Sequence, residues 1–424
     1  MNSHIKSDSN MKYALVDGAL GHTGSFLVKH LVKNGWYVVA TDLKPSSRKR
    51  VMTKERLFHT DLKTLDCRDW DNVKFLYSDL IDKKSLVKVF KSLKSTNNRN
   101  RFDIVFHPAS LYDYGASYEL LHEVNYNGLR NLLDVMIDHS EKINTKIPRF
   151  IHLSTCGVYG EPIYQKDKHG FIYPADEKTP YNPPNNYSQT KVEQEKLIIE
   201  YSKKNPDLNY TILRPAPIYG PYQTYGMFHI FYSAYIMGHF ILPKIFPKKK
   251  KLMMPMIHVE DLVDSAIYLA EDDRSIGEVY NIINNSPLQE SFLEFIYNEL
   301  DTTFSVWPMH WSLFKIFAKF NYILAKYAAK KAKKKGIRPK FDLPMVKYLT
   351  HQYYFSNQKI KQLGFKFKYD DFKKGVYETI LWYKNHGWLP ALEHRLPEYI
   401  NTTAKPGKTY KSEYRTPMKG GEIF

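Results

Sequence analysis

A chain of 424 residues, 43% of them apolar and 15% aromatic, is too long for one minimal domain and has ample material for a large core. Its two cysteines, Cys67 and Cys156, exclude a disulfide framework and lack C-x-x-C spacing, so no metal site is expected and a reducing, cytoplasmic setting is the default. The net charge of +18 calls for an anionic partner, either nucleic acid or an acidic membrane surface, unless it serves only solubility.

Residues 1–11 are polar, lack the apolar stretch of roughly 7 to 15 residues that a secretory signal needs, and read as a flexible N-terminus. From Lys12 the order is an apolar run (YALVDG), a helical pattern (SFLVKHLVKNG), a second run (YVVATD), then FLYSD and DIVFHPAS with helices between. RFIHLST and YTILRP follow, separated by a long helix starting near Tyr187. Strands alternating with helices predict an α/β fold, a Rossmann-type doubly wound parallel sheet of about seven strands. Residues 12–225 are expected to form the nucleotide-binding domain and to carry the catalytic residues. After Tyr219 the alternation breaks, and 226–390 read as a smaller substrate-binding region interleaved with the core. The apolar window Met227 to Leu242 is stopped by Pro243, short of the roughly 20 residues of a spanning helix, and is expected to line a substrate entrance. Residues 391–424 are polar, with Pro406, Gly407, Gly420 and Gly421, and predict a mostly disordered tail.

The first run ends in Asp17-Gly18-Ala19-Leu20-Gly21-His22-Thr23-Gly24 and opens directly into a helix. Glycines at 18, 21 and 24 suit a tight turn, close approach of a pyrophosphate, and close helix packing, with the helix N-terminus facing the phosphates. Asp42 closes the next strand about 20 residues on, where it would accept hydrogen bonds from the adenosine ribose hydroxyls. A 2′-phosphate would set negative charge against that carboxylate, so NAD is favoured over NADP, although Lys44, Arg48, Lys49 and Arg50 could soften the preference.

Further on stands Tyr187-Ser188-Gln189-Thr190-Lys191, whose spacing sets a phenol and an ammonium on one helical face. The cation would favour the phenolate and make the tyrosine a usable base. Taken alone, Y-x-x-x-K is common by chance.

It occurs together with DGALGHTG, SDL at Ser78 to Leu80, FHPAS at Phe106 to Ser110, NYNGLRNLL from Asn125, STCGVYG from Ser154, LRPAPIYGP from Leu213 and IHVEDL from Ile257. In these motifs the chain, from about Lys12 to Leu389, resembles the extended short-chain dehydrogenase/reductases, the NAD-dependent epimerase/dehydratase superfamily. The resemblance implies that Asp79 and Leu80 flank the adenine, that Pro108, Ala109 and Ser110 run along the cofactor, and that Pro215 lies beside the nicotinamide amide. It implies that Thr155 is the catalytic hydroxyl beside Tyr187, and that Lys191 also binds the nicotinamide ribose. For Asn125 a structural and a proton-relay role both stay open. Cys156 reads as a small core residue rather than a nucleophile, and His258 as a residue that fixes local structure. A homodimer through the helices containing Asn125 and Tyr187 is expected by the same resemblance.

Nucleotide-sugar enzymes of this superfamily resemble one another in two diphosphate anchors. At the aligned positions this chain has Pro217 and Met254, with Lys248 to Lys251 close by as substitutes. Segments from Ser286 and from Tyr353 look like the 3β-hydroxysteroid and sterol dehydrogenase branch. That likeness implies an apolar, lipid-like alcohol as substrate, with a nucleotide-sugar epimerase or dehydratase as the alternative and a non-catalytic NAD-binding scaffold as a rival of another class.

Residues 302–341 contain no Asp or Glu, yet carry Lys315, Lys319, Lys326, Lys330, Lys331, Lys333, Lys334, Lys335, Arg338 and Lys340. At about 100° per residue five of these lysines fall within about 60° of one another, while Trp311, Phe314, Ile316, Phe317, Phe320, Ile323, Leu324 and Tyr327 cover most of the remaining circumference. This predicts a basic amphipathic helix over 311–335, suited to an anionic membrane surface or, as the plainer reading, to covering the sheet with its lysines solvated. No nucleic-acid module accompanies it, so no nucleic-acid partner is expected.

Overall fold

The computed structural model describes residues 11–45, 65–93, 100–114, 116–170, 172–223, 226–237, 239–246, 252–334, 347 and 351–389. The expected flexible residues 1–10, the basic residues Arg48, Lys49 and Arg50, Lys248 to Lys251, Lys335, Arg338 and Lys340, and the expected tail lie outside the described residues.

The chain opens with β1 (Tyr13–Val16), α1 (His22–Lys33), β2 (Tyr37–Asp42), β3 (Val73–Tyr77), α2 (Lys83–Lys91) and β4 (Ile104–His107). A short helix, α3 (Tyr118–Leu121), runs through a wide π-helical turn, His122–Asn127, into α4 (Gly128–Lys142). There follow β5 (Arg149–Leu153), a 3-10 turn (Cys156–Tyr159), α5 (Asn186–Lys204), β6 (Tyr210–Pro215), β7 (Ile218–Tyr219), α6 (Met227–Met237), β8 (His239–Phe246) and β9 (Ile257–His258). The C-terminal elements are α7 (Val259–Glu271), β10 (Glu278–Ile282), α8 (Gln289–Glu299), β11 (Thr303–His310), α9 (Trp311–Lys334), α10 (Gln358–Gln362) and α11 (Phe372–Asn385).

Seven strands form one parallel sheet in the order β10-β6-β5-β4-β1-β2-β3. Central strands of such a sheet are covered on both faces, which is why YALV, IVFH and RFIHL are buried along their whole length. One face packs against Phe26 and Leu31 of α1 and Leu262 and Ala266 of α7. The other packs against Phe90 of α2, Leu132 and Met136 of α4, and Leu197 and Ile198 of α5. The seventh strand, β10, comes from beyond the expected domain boundary at 225, because the chain returns to the sheet through α7 after its excursion. Strand order reverses between β1 and β4, so a crevice opens at their carboxyl ends.

A third apolar cluster joins Phe228 and Phe231 of α6, Phe292 and Ile296 of α8, and Val376 and Tyr383 of α11. The helical part of the window expected to line a substrate entrance is thus a core element. Phe228 and Phe231 sit with ring centroids 5.1 and 6.0 Å from Tyr383, and burying each contributes about 1.5–3 kcal/mol.

Candidate active site

The glycine-rich turn leaves β1 with Gly18 at φ +58°, and a Cβ there would meet Ala109 Cα at 3.0 Å. A Cβ on Gly24 would lie 2.2 Å from the Gly18 carbonyl oxygen, so only glycine lets α1 pack this close to the end of β1. Gly21 is the N-cap of α1; no side chain caps that end and no carboxylate stands in its first turn. The first N–H groups and the positive end of the helix dipole are therefore suited to a diphosphate. His22 begins α1, buried, with a ring nitrogen 2.8 Å from the Pro221 carbonyl oxygen, and burial pushes its pKa down to about 4. Thr23 is half-buried in the same turn.

Asp42 ends β2, where its carboxylate accepts the Leu20 N–H at 2.8 Å and the Leu43 N–H at 2.7 Å, linking it to the glycine turn. Asp79 and Leu80 follow β3: Asp79 accepts the Ile81 N–H at 3.2 Å, and the Leu80 carbonyl accepts Asn131 Nδ2 at 3.0 Å. Pro108, Ala109 and Ser110 follow β4, and the buried Ser110 hydroxyl has no hydrogen-bond partner among the described residues. Pro215 ends β6, buried. The expected cofactor residues thus stand at the carboxyl ends of neighbouring strands, and the uncapped helix end, the glycine cradle and the orphaned Ser110 hydroxyl fit a dinucleotide.

Helix α5 supplies the other half of the site. Asn185 caps it by accepting the Ser188 N–H at 2.9 Å, which fixes where Tyr187 begins its turn. Tyr187, Lys191 and Glu195 recur at one-turn spacing and all three are buried. Lys191 Nζ donates to the carbonyl oxygen of Leu153, the last residue of β5, at 2.9 Å. Burial pushes its pKa down to about 7, opposed by the carboxylates of Asp17 and Glu195. Glu195 accepts from the Ser154 hydroxyl, from Tyr181 at 2.8 Å and from Arg214 at 2.6 Å, so the buried carboxylate is paired and saturated. These bonds lock α5 against the ends of β5 and β6.

Thr155 lies two residues past Leu153 and caps the 3-10 turn, accepting the Gly157 N–H at 3.0 Å, which leaves its hydroxyl hydrogen for another acceptor. A Cβ built on Gly157 would lie 3.3 Å from Thr155 Oγ1 and 3.0 Å from Ser188 Oγ, so this turn rests on the first turn of α5. Residues 155, 187 and 191 are thereby gathered where β5 meets α5. Tyr112 and Tyr114 pack edge-on to the Tyr187 ring, with centroids at 5.1 and 5.5 Å. Sequence reasoning missed both, although they follow directly on FHPAS.

It also missed a buried pair beneath the glycine turn. Asp17 accepts the Ala109 N–H at 2.9 Å and is 2.5 Å from His107 Nδ1, tying the end of β1 to the end of β4. His107 stacks on His152 in the neighbouring strand at 5.4 Å. Burial holds the His152 pKa well below that of an ordinary imidazole, helped by the charge of Lys191, so His152 is neutral.

The structure shows what holds several further residues of the motifs. Asn125, in the π-helical turn, accepts the Leu111 N–H at 2.7 Å and donates to Leu111 O at 3.3 Å and Thr190 Oγ1 at 3.2 Å. It is a brace between the loop after β4 and α5. Cys156 donates its thiol to Arg214 O at 3.0 Å, and burial drives its pKa well up, so it is an unreactive core thiol. His258 caps α7, accepting the Glu260 N–H at 3.3 Å, and burial lowers its pKa to about 3. Met254 is buried in the third cluster, and Pro217 offers its carbonyl to Ile257 N–H at 3.0 Å.

Residues 14–282 match the sequence family described as "NAD dependent epimerase/dehydratase family". UDP-arabinose 4-epimerase 1 of Arabidopsis thaliana is 29% identical over 214 residues, 49% of this chain and 43% of that relative. In such matches the chain spans less than half the length of the curated relatives. The dTDP-D-glucose 4,6-dehydratase of Dictyostelium discoideum is 25% identical over 404 residues, covering 91% of this chain and 85% of its own. Among solved structures, the fold is similar to Thermus thermophilus UDP-glucose 4-epimerase in complex with NAD, with a TM-score of 0.57 at 19% identity, over 87% of this chain and 97% of that one. The matched family residues run from β1 through β10, the seven-stranded sheet and the whole crevice, and the cofactor is NAD. This chain belongs to the NAD dependent epimerase/dehydratase family.

Proposed function

We propose that this enzyme acts on a nucleotide-linked sugar, oxidising a secondary hydroxyl to a ketone as the first step of an epimerisation or dehydration. The observation that supports it is the bond from Lys191 Nζ to the Leu153 carbonyl at the end of β5, two residues before Thr155, with Tyr187 one turn earlier on the same helix. NAD, when bound, accepts the hydride. Thr155 donates its hydroxyl hydrogen to the substrate oxygen and holds it near Tyr187. The Tyr187 phenolate takes the hydroxyl proton, and the Lys191 ammonium stabilises the phenolate before transfer. Tyr112 and Tyr114 help to exclude water around the phenol. The names of two relatives, UDP-arabinose 4-epimerase 1 and dTDP-D-glucose 4,6-dehydratase, support the sugar as substrate.

A second reading, a lipid-like alcohol as in the 3β-hydroxysteroid dehydrogenase branch, is favoured by one observation. The positions where nucleotide-sugar enzymes would anchor a diphosphate are the buried Met254 and the half-buried Pro217, and a dianion there loses its strongest partner. Incubation of the protein and NAD with UDP-arabinose, UDP-glucose and dTDP-glucose, and separately with a cellular lipid extract, tests both by mass spectrometry and chromatography. A 4-epimer or a 4-keto product from a nucleotide sugar supports the first reading. A new ketone from the lipid extract, with the nucleotide sugars returned unchanged, overturns it.

A further inference from the structure

The hydride chemistry makes no use of α9, whose surface divides into three lengthwise stripes. Trp311, Phe314, Ala318, Asn321, Tyr322 and Ala325 recur every three or four residues and are the more buried positions, with Phe314 packed against Ile245 and Leu252. A second stripe, Ile316, Phe317, Phe320, Ile323, Leu324 and Tyr327, is apolar yet between 49% and 69% exposed. At about 100° per residue these six span an arc of about 120°. Lys315, Lys319, Lys326 and Lys330 fill an arc of about 60° along one edge of that stripe, between it and the packed seam. Trp307 and Val306, on β11 just before the helix, are exposed as well.

So large an exposed apolar stripe needs an occupant, and its lysine border selects which. A second copy of the chain would pair stripe with stripe and bring lysine rows together, and residues 302–341 hold no Asp or Glu to neutralise them. Nucleic acid would satisfy the lysines and leave Ile316, Ile323 and Leu324 in water. An anionic bilayer takes both: the apolar stripe enters the acyl boundary while the flanking ammonium groups reach up to the headgroups. No described helix is long and apolar enough to cross a membrane, so α9, about 36 Å long at 1.5 Å per residue, would lie in the interface plane.

We propose that α9 is an interfacial anchor that docks this enzyme on an anionic lipid surface. The anchor is independent of which substrate class the crevice takes. Flotation of the full chain with phosphatidylcholine vesicles, with and without phosphatidylserine, tests it. The protein is expected to float with the phosphatidylserine vesicles and to be released as salt rises. Each change among Lys315→Ala, Lys319→Ala and Lys326→Ala should lower partitioning about fivefold, and Phe317→Ser with Phe320→Ser should lower it more than tenfold while NADH binding stays unchanged. The proposal is overturned if the protein stays with the soluble fraction, or if it floats equally with pure phosphatidylcholine and ignores the lysine changes. It is likewise overturned if the phenylalanine changes convert a free dimer to a monomer, or if the lysine changes weaken binding to DNA and not to vesicles.

Discussion

Helices α5 and α9 both depart from the ordinary sorting of side chains between interior and water, in opposite senses. Helix α5 buries Lys191 and Glu195, whereas α9 exposes Ile316, Phe317 and Phe320. In α5 each buried charge has fixed partners: Leu153 O for the ammonium, and Ser154, Tyr181 and Arg214 for the carboxylate. In α9 the exposed groups share one non-directional property. A catalytic site needs atoms held at one geometry and an interfacial surface needs only area and charge, so the two helices should respond very differently to substitution.

The largest effect on stability is expected at the pair that locks α5. Arg214→Met leaves the buried Glu195 carboxyl without its cationic partner and should destabilise by about 3–5 kcal/mol in urea unfolding. Adding Glu195→Leu should recover much of that loss, since a well-packed apolar pair is about as stable as a buried ion pair. Failure of the double variant to recover would show that the pair is more than a lock.

Next comes the pH dependence set by Lys191, whose folded-state pKa of about 7 lies below the ordinary 10.5. Between those values the unfolded chain binds a proton that the native chain does not, so this group makes stability rise with pH from 7 to 10.5 and leaves it lowest below 7. Lys191→Met removes that slope. The difference between wild type and variant should change by roughly 4 kcal/mol across the window, read from urea midpoints at successive pH values. A difference independent of pH would mean that Lys191 is not held in a low-dielectric site.

The smallest effect is expected on α9. Ile323→Ser, at a position 54% exposed, should alter stability by less than about 0.5 kcal/mol. A loss of 2 kcal/mol or so, a size typical of a core position, would show that the stripe is covered in the folded protein.

Strands β1, β2, β4, β5 and β6 were legible in the sequence because each is largely buried and so reads as an apolar run, whereas β3, at the sheet edge and only half-buried, was legible mainly by its place in the alternation. The glycine turn was legible because the glycines and Asp42 are spaced by one strand–turn–helix unit, and Tyr187 with Lys191 because one helical turn joins them. Contacts made across the sheet were not. Asp17 and His107 lie 90 positions apart, and nothing local marks them as partners. The return of the chain to the sheet through β10 was hidden by the long excursion before it. The periodicity of α9 was visible, but not which stripe faces the protein. Trp311 and Phe314 read as part of one apolar face with Ile316 to Tyr327, yet they turn inward on a seam completed by Ala318, Asn321, Tyr322 and Ala325. Small and polar residues on that seam carry no hydropathy signal.

In the proposed mechanism Tyr187 is the group that moves the substrate hydroxyl proton. The most direct measurement is the turnover of Tyr187→Phe on whichever nucleotide sugar the wild type converts in the incubations proposed above, alongside NADH binding followed by fluorescence. The expected result is a fall in kcat of about 10²–10⁴-fold with NADH affinity unchanged, since only the phenolic oxygen is lost. Turnover equal to that of the wild type would contradict the account.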